Sequence, residues 1–166
     1  MIVPPEFSRP LALDRVGAAM FAMEVTATEA ECAALAVRLG VPALRAFSCR
    51  FHLRRGKSGR IAAEAEFHAA LVRECVLSLD LFETEQTEAF RVIFVPAGTE
   101  DDDPDPESDD EIPYEGAAID LGETAAEQLA LVLDPYPHKP GAELPPEVQE
   151  KLDSPFAALT RRGEPS

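Results

Sequence analysis

The residues best suited to chemistry are cations gathered at a glycine-bearing turn. The segment Arg-Arg-Gly-Lys-Ser-Gly-Arg at 54–60 ends a stretch, 41–60, that contains no acidic residue. The four cations of the segment 54–60 are Arg54, Arg55, Lys57 and Arg60. Clustered guanidinium and ammonium groups bind phosphate oxygens, so the segment predicts a contact with RNA or another partner. The alternative is a solvated strand face partly neutralised by acids on the returning strand, which is the favoured interpretation for Arg50.

A second charged cluster is acidic and follows the predicted strands. Residues 97–112 carry dense like charge and few apolar side chains, which predicts disorder because the segment has too little to bury. Solubility is the simplest role of such a run. In the functional interpretation it mimics nucleic-acid phosphate and holds a basic protein; it could also fold over the cationic turn, a contact that salt would weaken. The candidate contacts for a basic protein are Asp101, Asp102, Asp103, Asp105, Asp109 and Asp110.

Cysteine and histidine do not gather into a ligand or nucleophile pattern. Cys49 and His52 point to opposite faces of one predicted strand, and the chain has no Cys-x-x-Cys pair. Alternation places Cys75 among leucines, a setting that would raise the pKa of its thiol. We therefore expect no metal, no cofactor, no catalytic residue and no enzymatic activity.

Two helices have clear start and stop signals. Thr28 and Glu31 have the spacing of a capping box, and Gly40 ends the first helix. Asp120 opens the second helix, which Pro135 stops because proline disfavours helix in the residue before it.

Alternating apolar and polar residues predict a β-hairpin around the cationic turn. If Arg54 pairs with Arg60 across this turn, Arg50 lies opposite Glu64. Extended runs at 75–81 and 90–95 follow. The predicted fold class is α+β, with an antiparallel β-meander or partly open β-barrel of about four to six strands packed with two main helices, plus a disordered acidic loop.

Composition limits the partners. A formal charge of −16 on 166 residues opposes nucleic-acid binding over the whole surface, because phosphate contacts need clustered cations. No apolar run is long enough to span a membrane, no secretory signal is evident, and three widely spaced cysteines are typical of a reducing cytoplasm. We expect a cytoplasmic protein without DNA or membrane partners. We assign 1–138 to one domain and 139–166 to a proline-rich tail with short docking helices.

Three segments together resemble the YceD family, the large ribosomal RNA subunit accumulation proteins of bacteria and plastids. The segments are Cys-Val-Leu-Ser-Leu-Asp-Leu-Phe at 75–82, Phe-Arg-Val-Ile-Phe at 90–94 with the acidic insertion, and Ile-Asp-Leu-Gly-Glu at 119–123 with Asp-Pro-Tyr-Pro at 134–137. The resemblance covers 47–137 and, more loosely, Ser-Pro-Phe-Ala-Ala-Leu at 154–159.

The resemblance implies a role in the accumulation of large-subunit ribosomal RNA and no established catalytic step. Many members carry cysteine pairs that suggest a metal site, but here Ser78 stands where the second cysteine would fall. We therefore expect a non-enzymatic ribosome biogenesis factor that binds ribosomal RNA, a basic ribosomal protein, or both. The alternative is a general acidic adaptor that holds basic clients and is unrelated to RNA.

Overall fold

The computed structural model describes residues 3–102 and 105–143. The strands there are β1 (Pro10–Ala12), β2 (Phe21–Thr26), β3 (Ala43–Arg55), β4 (Ile61–Glu74), β5 (Leu81–Pro96), β6 (Asp110–Tyr114) and β7 (Ala118–Asp120). The helices are α1 (Glu29–Leu39) and α2 (Leu121–Val132). Single turns of 3-10 helix occupy Leu13–Arg15 and Lys57–Gly59.

One sheet contains five of these strands in the order β2-β3-β4-β5-β6. β3 is antiparallel to both β2 and β4, whereas β6 runs parallel to β5. β1 and β7 form a separate antiparallel pair. The two helices and this mostly antiparallel sheet confirm the predicted α+β class. The sheet stays open, with β2 and β6 at its edges, so the meander is correct and a closed barrel is not formed.

Both helices begin as their cap residues predict. Thr28 and Glu31 form a complete capping box, and Gly40 ends α1 in the left-handed conformation. Asp120 caps α2 by accepting a hydrogen bond from the amide of Glu123, at 3.1 Å. The apolar faces of the two helices contribute residues such as Leu35 and Leu129 to one buried cluster with the sheet.

Phenylalanine rings fill the centre of this core. Phe47 makes edge-to-face contacts with Phe7 and Phe67, at centroid distances of 5.7 and 5.9 Å. Phe90, from β5, packs edge-to-face on Phe51 at 5.9 Å. The alternation along β3 and β4 therefore places large rings on one face of the sheet, as its period of two requires.

The N-terminal segment is held by the first turn of α2. The carboxylate of Asp120 accepts hydrogen bonds from the Ser8 hydroxyl, at 2.6 Å, and from the Arg9 amide, at 2.8 Å. The backbone passes so close to Gly122 that a Cβ atom there would lie 2.6 Å from the carbonyl oxygen of Phe7. A side chain at this position would push the two segments apart.

Two arginines reinforce this arrangement. Arg9 makes a bidentate pair with Glu31, at 2.7 and 2.8 Å. This pair, together with a hydrogen bond from the Thr28 amide, lowers the pKa of Glu31 to about 2. Arg38 of α1 makes a bidentate pair with Glu123 of α2, at 2.8 and 2.9 Å. Fork-to-carboxylate pairs of this kind fix orientation as well as adding energy, so α1, α2 and the N-terminal segment are tied together.

The predicted register of the β3–β4 hairpin is wrong by two residues. Arg55 lies opposite Ile61, so Arg50 faces Glu66 rather than Glu64. The turn contains 56–60, including the 3-10 turn at Lys57–Gly59, and lies one residue further along the chain than the turn at 55–59 that a pairing of Arg54 with Arg60 implies. A shift of two residues keeps every side chain on its predicted face.

The extended run predicted at 75–81 is also wrong. Cys75 to Asp80 forms a tight turn, in which the Cys75 amide donates to the Asp80 carbonyl oxygen and the Leu79 amide to the Cys75 carbonyl oxygen, each at 2.9 Å. Leu79 has φ of +62°, which no strand residue adopts. β5 begins only at Leu81 and continues without a break to Pro96.

The predicted disordered segment extends too far at its C-terminal end. Residues 110–112 belong to β6, where Asp110 pairs with Val92 and Glu111 with Ile93. The parallel ladder satisfies their backbone groups, which the sequence-based prediction of disorder over 97–112 did not allow for. Disorder in the rest of that segment stays a prediction.

The chain divides into two compact units. The described residues of the larger unit lie in 3–72 and 83–133, and those of the smaller unit in 73–82 and 134–143. The assignment of 1–138 to a single domain stays a prediction. The short helices predicted in the tail lie outside the described residues.

We expect Gly122→Ala to destabilise the fold by about 1–3 kcal/mol, because a Cβ would overlap backbone atoms that cannot rotate away. The gain in helix propensity, about 1 kcal/mol, offsets only part of this cost. Gly17→Ala is the matched control, since nothing lies within 4 Å of its Cβ position. Urea unfolding of both variants measures the difference; equal midpoints would contradict the close approach.

Candidate nucleic-acid interface

The cationic turn joins β3 to β4, its antiparallel neighbour in the sheet. The Gly56 amide donates to the Arg60 carbonyl oxygen at 2.8 Å, and the Arg60 amide to that of Lys57 at 3.2 Å. Ser58 and Gly59 adopt positive φ values of 58° and 74°, which close the loop. The turn thus positions Lys57 between the end of β3 and the start of β4.

Two of the four predicted contact residues already have partners within the chain. The guanidinium group of Arg55 donates a hydrogen bond to the Leu13 carbonyl oxygen. The backbone amide of Arg55 donates to the Gly17 carbonyl oxygen at 2.8 Å. Arg60 forms an ion pair with Glu111 of β6. The pKa of Glu111 lies below its ordinary value, first because the Asp101 amide donates to its carboxylate and then because of Arg60.

β6 holds the turn by a second contact. The Tyr114 hydroxyl donates to the Gly59 carbonyl oxygen at 2.6 Å. A Cβ at Gly59 would come within 3.0 Å of Tyr114 and of Pro96. Arg60 and Gly59 are therefore held against the strand that follows the acidic loop.

Arg54 and Lys57 differ from the other two cations. Both side chains are exposed, and within the part of the chain that the structure describes neither has an ion pair or a hydrogen bond. Sequence reasoning missed Arg15, whose guanidinium group lies over the Phe21 ring at 5.4 Å, beside the end of β3. About 40 residues separate it from the hairpin in sequence, so no local signal links them.

The solvent face of the sheet carries cations that acids neutralise. Arg50 pairs with Glu24 of β2 at 2.9 Å, and Arg91 of β5 pairs with Glu64 at 3.1 Å. The acidic partner of Arg50 thus comes from β2, rather than from the returning strand. These pairs balance charge locally, whereas Arg54 and Lys57 at the hairpin end have no acidic partner among the described residues.

The predicted acidic contacts occupy a surface loop and the start of β6. Asp101, Asp102, Asp105 and Asp109 are exposed in the loop, and Asp110 is the first residue of β6. Asp103 lies outside the described residues. Glu111, which was not among the predicted contacts, forms an ion pair with the hairpin cation Arg60. The acidic segment and the hairpin therefore interact at this pair.

The prediction for the Cys75 thiol is wrong in sign. The side chain is buried, yet its pKa is lowered to about 6, first by a hydrogen bond from the Ser78 hydroxyl. Burial opposes this effect, and the backbone amides of Lys139, Ser78 and Leu77 add to it. The tight turn at 75–80 directs the donors of Leu77 and Ser78 at the sulfur, whereas a strand would have surrounded it with leucines.

The residues around Cys75 do not fit a metal ion. Across 3–102 and 105–143 no group of three or more His, Cys, Asp or Glu is arranged to hold one. The Ser78 hydroxyl donates to the Cys75 sulfur and lowers the pKa of this thiol. Hydrogen bonds thus stabilise the negative sulfur where a cation would otherwise do so.

The comparisons with known proteins identify the family. A family model described as large ribosomal RNA subunit accumulation protein YceD matches residues 63–160, more than half of the chain. This chain belongs to the YceD family. No curated protein and no solved structure matches it. The match includes the acidic loop and α2, but it begins after the four cations of the hairpin. No described helix is long and apolar enough to cross a membrane.

We expect the ultraviolet absorbance of thiolate to show one group titrating near pH 6 in the folded protein. Burial raises the pKa of Cys32, and that of Cys49 to about 12, so neither contributes there. Because the folded pKa of Cys75 is depressed, its contribution to stability is full above the unfolded value, about 8.5, and is lost as pH falls through 6.

Cys75→Ala should remove this titration, Ser78→Ala should move it to higher pH, and Cys32→Ala should leave it unchanged. A thiolate signal that first appears above about pH 8, the ordinary range for cysteine, would show that the donors do not point at the sulfur.

Proposed function

We propose that this chain is a non-enzymatic, cytoplasmic ribosome biogenesis factor that supports accumulation of large-subunit ribosomal RNA by binding. The observation that carries the proposal is the family match over residues 63–160. We further propose that the partner is ribosomal RNA, a basic ribosomal protein, or both, and that DNA and membranes are not partners.

Contact with RNA is proposed at Arg54 and Lys57, with Arg55 at the same turn. Arg54 and Lys57 are exposed and have no recorded acidic partner among the described residues. Arg60 is a weaker candidate than the sequence suggested, because a phosphate would have to displace Glu111. A chain of charge −16 repels RNA over most of its surface, so a local site projecting from one end of the sheet suits such a partner.

Contact with a basic ribosomal protein is proposed at the acidic loop. Asp101, Asp102, Asp105 and Asp109 are exposed there, and Asp103 and Asp110 complete the candidate set. Dense carboxylates attract lysine- and arginine-rich segments at long range and speed their association. The loop lies within the family match, which supports its connection to ribosome assembly.

Binding, rather than catalysis, is favoured by the state of the reactive side chains. All three thiols are buried, including Cys75, whose ionised sulfur would otherwise be a good nucleophile. A buried thiolate surrounded by hydrogen-bond donors is suited to holding a turn together. The alternative function, a general acidic adaptor for basic clients, is favoured by the charge of −16 alone.

Neutralising the free hairpin cations tests the RNA contact. For Arg54→Gln with Lys57→Gln we expect the affinity for large-subunit ribosomal RNA to fall about tenfold, and the slope of log affinity against log salt to flatten by about 1–2. The matched control is Arg45→Gln with Arg91→Gln, which removes two exposed cations from the solvent face of the sheet. Equal losses in both variants would contradict a local site.

Capture from cells with and without ribonuclease separates the two functions. Loss of large-subunit precursors after RNA digestion supports contact through RNA. Recovery of one basic ribosomal protein under both conditions, abolished by deletion of 100–109, which leaves β6 in place, supports contact through the acidic loop. If neither condition recovers ribosomal components, the ribosomal proposal is wrong and the adaptor remains.

A further inference from the structure

One outer edge of the five-stranded sheet is covered over only part of its length. β5 extends from Leu81 to Pro96, but β6 pairs with it only over residues 92–96. The other strand beside β5 is β4, on the opposite edge, and no further described strand joins the sheet there. Residues 83–91 of β5 therefore have an outer backbone edge without a partner strand, which we call the free edge.

The end of the strand shows which backbone groups face this edge. The Ala97 amide, directly after β5, donates to the Tyr114 carbonyl oxygen of β6 at 2.9 Å, so it points outward. Backbone groups alternate in direction along a strand. The side chains alternate without interruption, since those at 84, 86, 90, 92 and 94 are partly or fully buried and those at 83, 85, 87, 89 and 91 are exposed. The outward amides and carbonyl groups of the free edge are those of Glu83, Glu85, Thr87, Ala89 and Arg91.

Nothing in residues 83–91 blocks an added strand. Natural sheets protect an edge by keeping the strand very short, by placing proline in it, or by a bulge that bends it away. The free edge contains no proline, and its alternation leaves no place for a bulge. β6, by contrast, carries Pro113 within five residues. The free edge is therefore able to pair along its whole length.

The side chains of the free edge are acidic and weakly neutralised. The side chains of Glu83 and Glu85 are 80 and 76% exposed, and Glu88 is exposed as well. Glu83 contacts Arg45 at 4.0 Å, and Glu85 contacts His68 at 3.6 Å. Exposed pairs at such distances contribute little, so these carboxylates stay available to a cationic partner.

The acidic loop continues this charge beyond the end of the free edge. Residues 108–110, which include Asp109 and Asp110, line one open depression together with residues 89–91 of β5. Arg91 at this end is already paired with Glu64, at 3.1 Å. An approaching strand therefore meets carboxylates along β5 and again at the start of β6.

We propose that the free edge binds a lysine- or arginine-rich segment of another protein as an added β-strand, in line with β6. Main-chain hydrogen bonds supply the affinity in this mode of recognition, and the glutamates supply the preference for cations. The inference rests on the proposed function, in which a basic ribosomal protein is a partner. It assigns to that protein an extended segment and a place on the sheet.

A second copy of the chain and RNA both fit this edge less well. Two free edges brought together would oppose glutamates of like charge, which destabilises a strand pair. RNA phosphates meet the same repulsion. The pairing of β6 shows that β5 accepts a strand on this side, and the charge of residues 83–91 selects a cationic one.

Peptide binding to the full chain tests the backbone contact. The probe is a peptide of about ten residues that alternates lysine and threonine, and its control is the same sequence with every amide N-methylated. Both peptides have the same charge, but only the first can add as a strand. We expect the methylated peptide to bind about tenfold more weakly or worse in calorimetry, because it lacks the main-chain donors. Equal affinities would show a contact by charge alone, and no binding of either peptide would show that the edge takes no cationic strand; either overturns the proposal.

A substitution within the free edge gives a second test. Thr87→Pro removes an outward amide without removing a hydrogen bond to β4, whereas Thr87→Val keeps the amide and is the matched control. Thr87→Pro should weaken binding of the lysine–threonine peptide about tenfold, and Thr87→Val should change it by less than about twofold. Urea unfolding checks that both variants fold, and equal binding by the two folded variants would contradict strand addition. If Thr87→Pro does not fold, the two peptides alone decide.

Failure of this inference and failure of the proposed function give different results. If capture from cells recovers a basic ribosomal protein but N-methylation does not weaken peptide binding, the ribosomal function stands and strand addition is wrong. If binding depends on the peptide backbone but no ribosomal component is recovered, strand addition stands and the ribosomal function is wrong. A dimer of the purified chain that Thr87→Pro disperses in sedimentation would place a second copy at the edge and overturn the inference.

Discussion

The larger unit depends on the close approach of bare backbone at Gly122 to the chain at Phe7 and Arg9. No other residue type allows the first turn of α2 to lie this near the N-terminal segment. Asp120 stabilises this contact, because its carboxylate caps α2 and also accepts hydrogen bonds from Ser8 and Arg9. Glu123 then reaches Arg38 of α1. The sequence Ile-Asp-Leu-Gly-Glu thereby has a physical explanation, because each residue from 119 to 123 either enters the core or ties α2 to another segment.

Opposite charges are separated only in part. Arg60 pairs with Glu111, so the acidic segment contacts the hairpin at Arg60 and leaves Arg54 and Lys57 exposed. The bond between Tyr114 and Gly59 fixes that division in place. A molecule with a net charge of −16 keeps a small cationic area in this way. The Glu111 carboxylate holds Arg60 and the Leu13 carbonyl oxygen holds Arg55, while Arg54 and Lys57 stay exposed.

Local signals were predictable from the sequence, and contacts between distant residues were not. The caps at Thr28 and Asp120 depend on neighbours three residues away, and strand alternation depends on a period of two. By contrast, the parallel pairing of β5 with β6 joins Arg60 to Glu111 across 51 positions, and nothing in either segment predicts it. The alternation of Leu77 and Leu79 with polar residues predicts a strand where the turn at Cys75 lies. The positive φ of Leu79 is not predictable, because leucine rarely adopts it. That error also reversed the expected pKa shift.

The β6 edge of the sheet carries features that oppose pairing with a second copy of the chain. β6 is an outer strand, and it carries Asp110, Glu111 and Pro113 within five residues. Proline has no amide hydrogen to offer an approaching strand, and the carboxylates repel a second copy of the same edge. The acid-rich strand that borders the hairpin thus also discourages edge-to-edge pairing between two copies of the sheet.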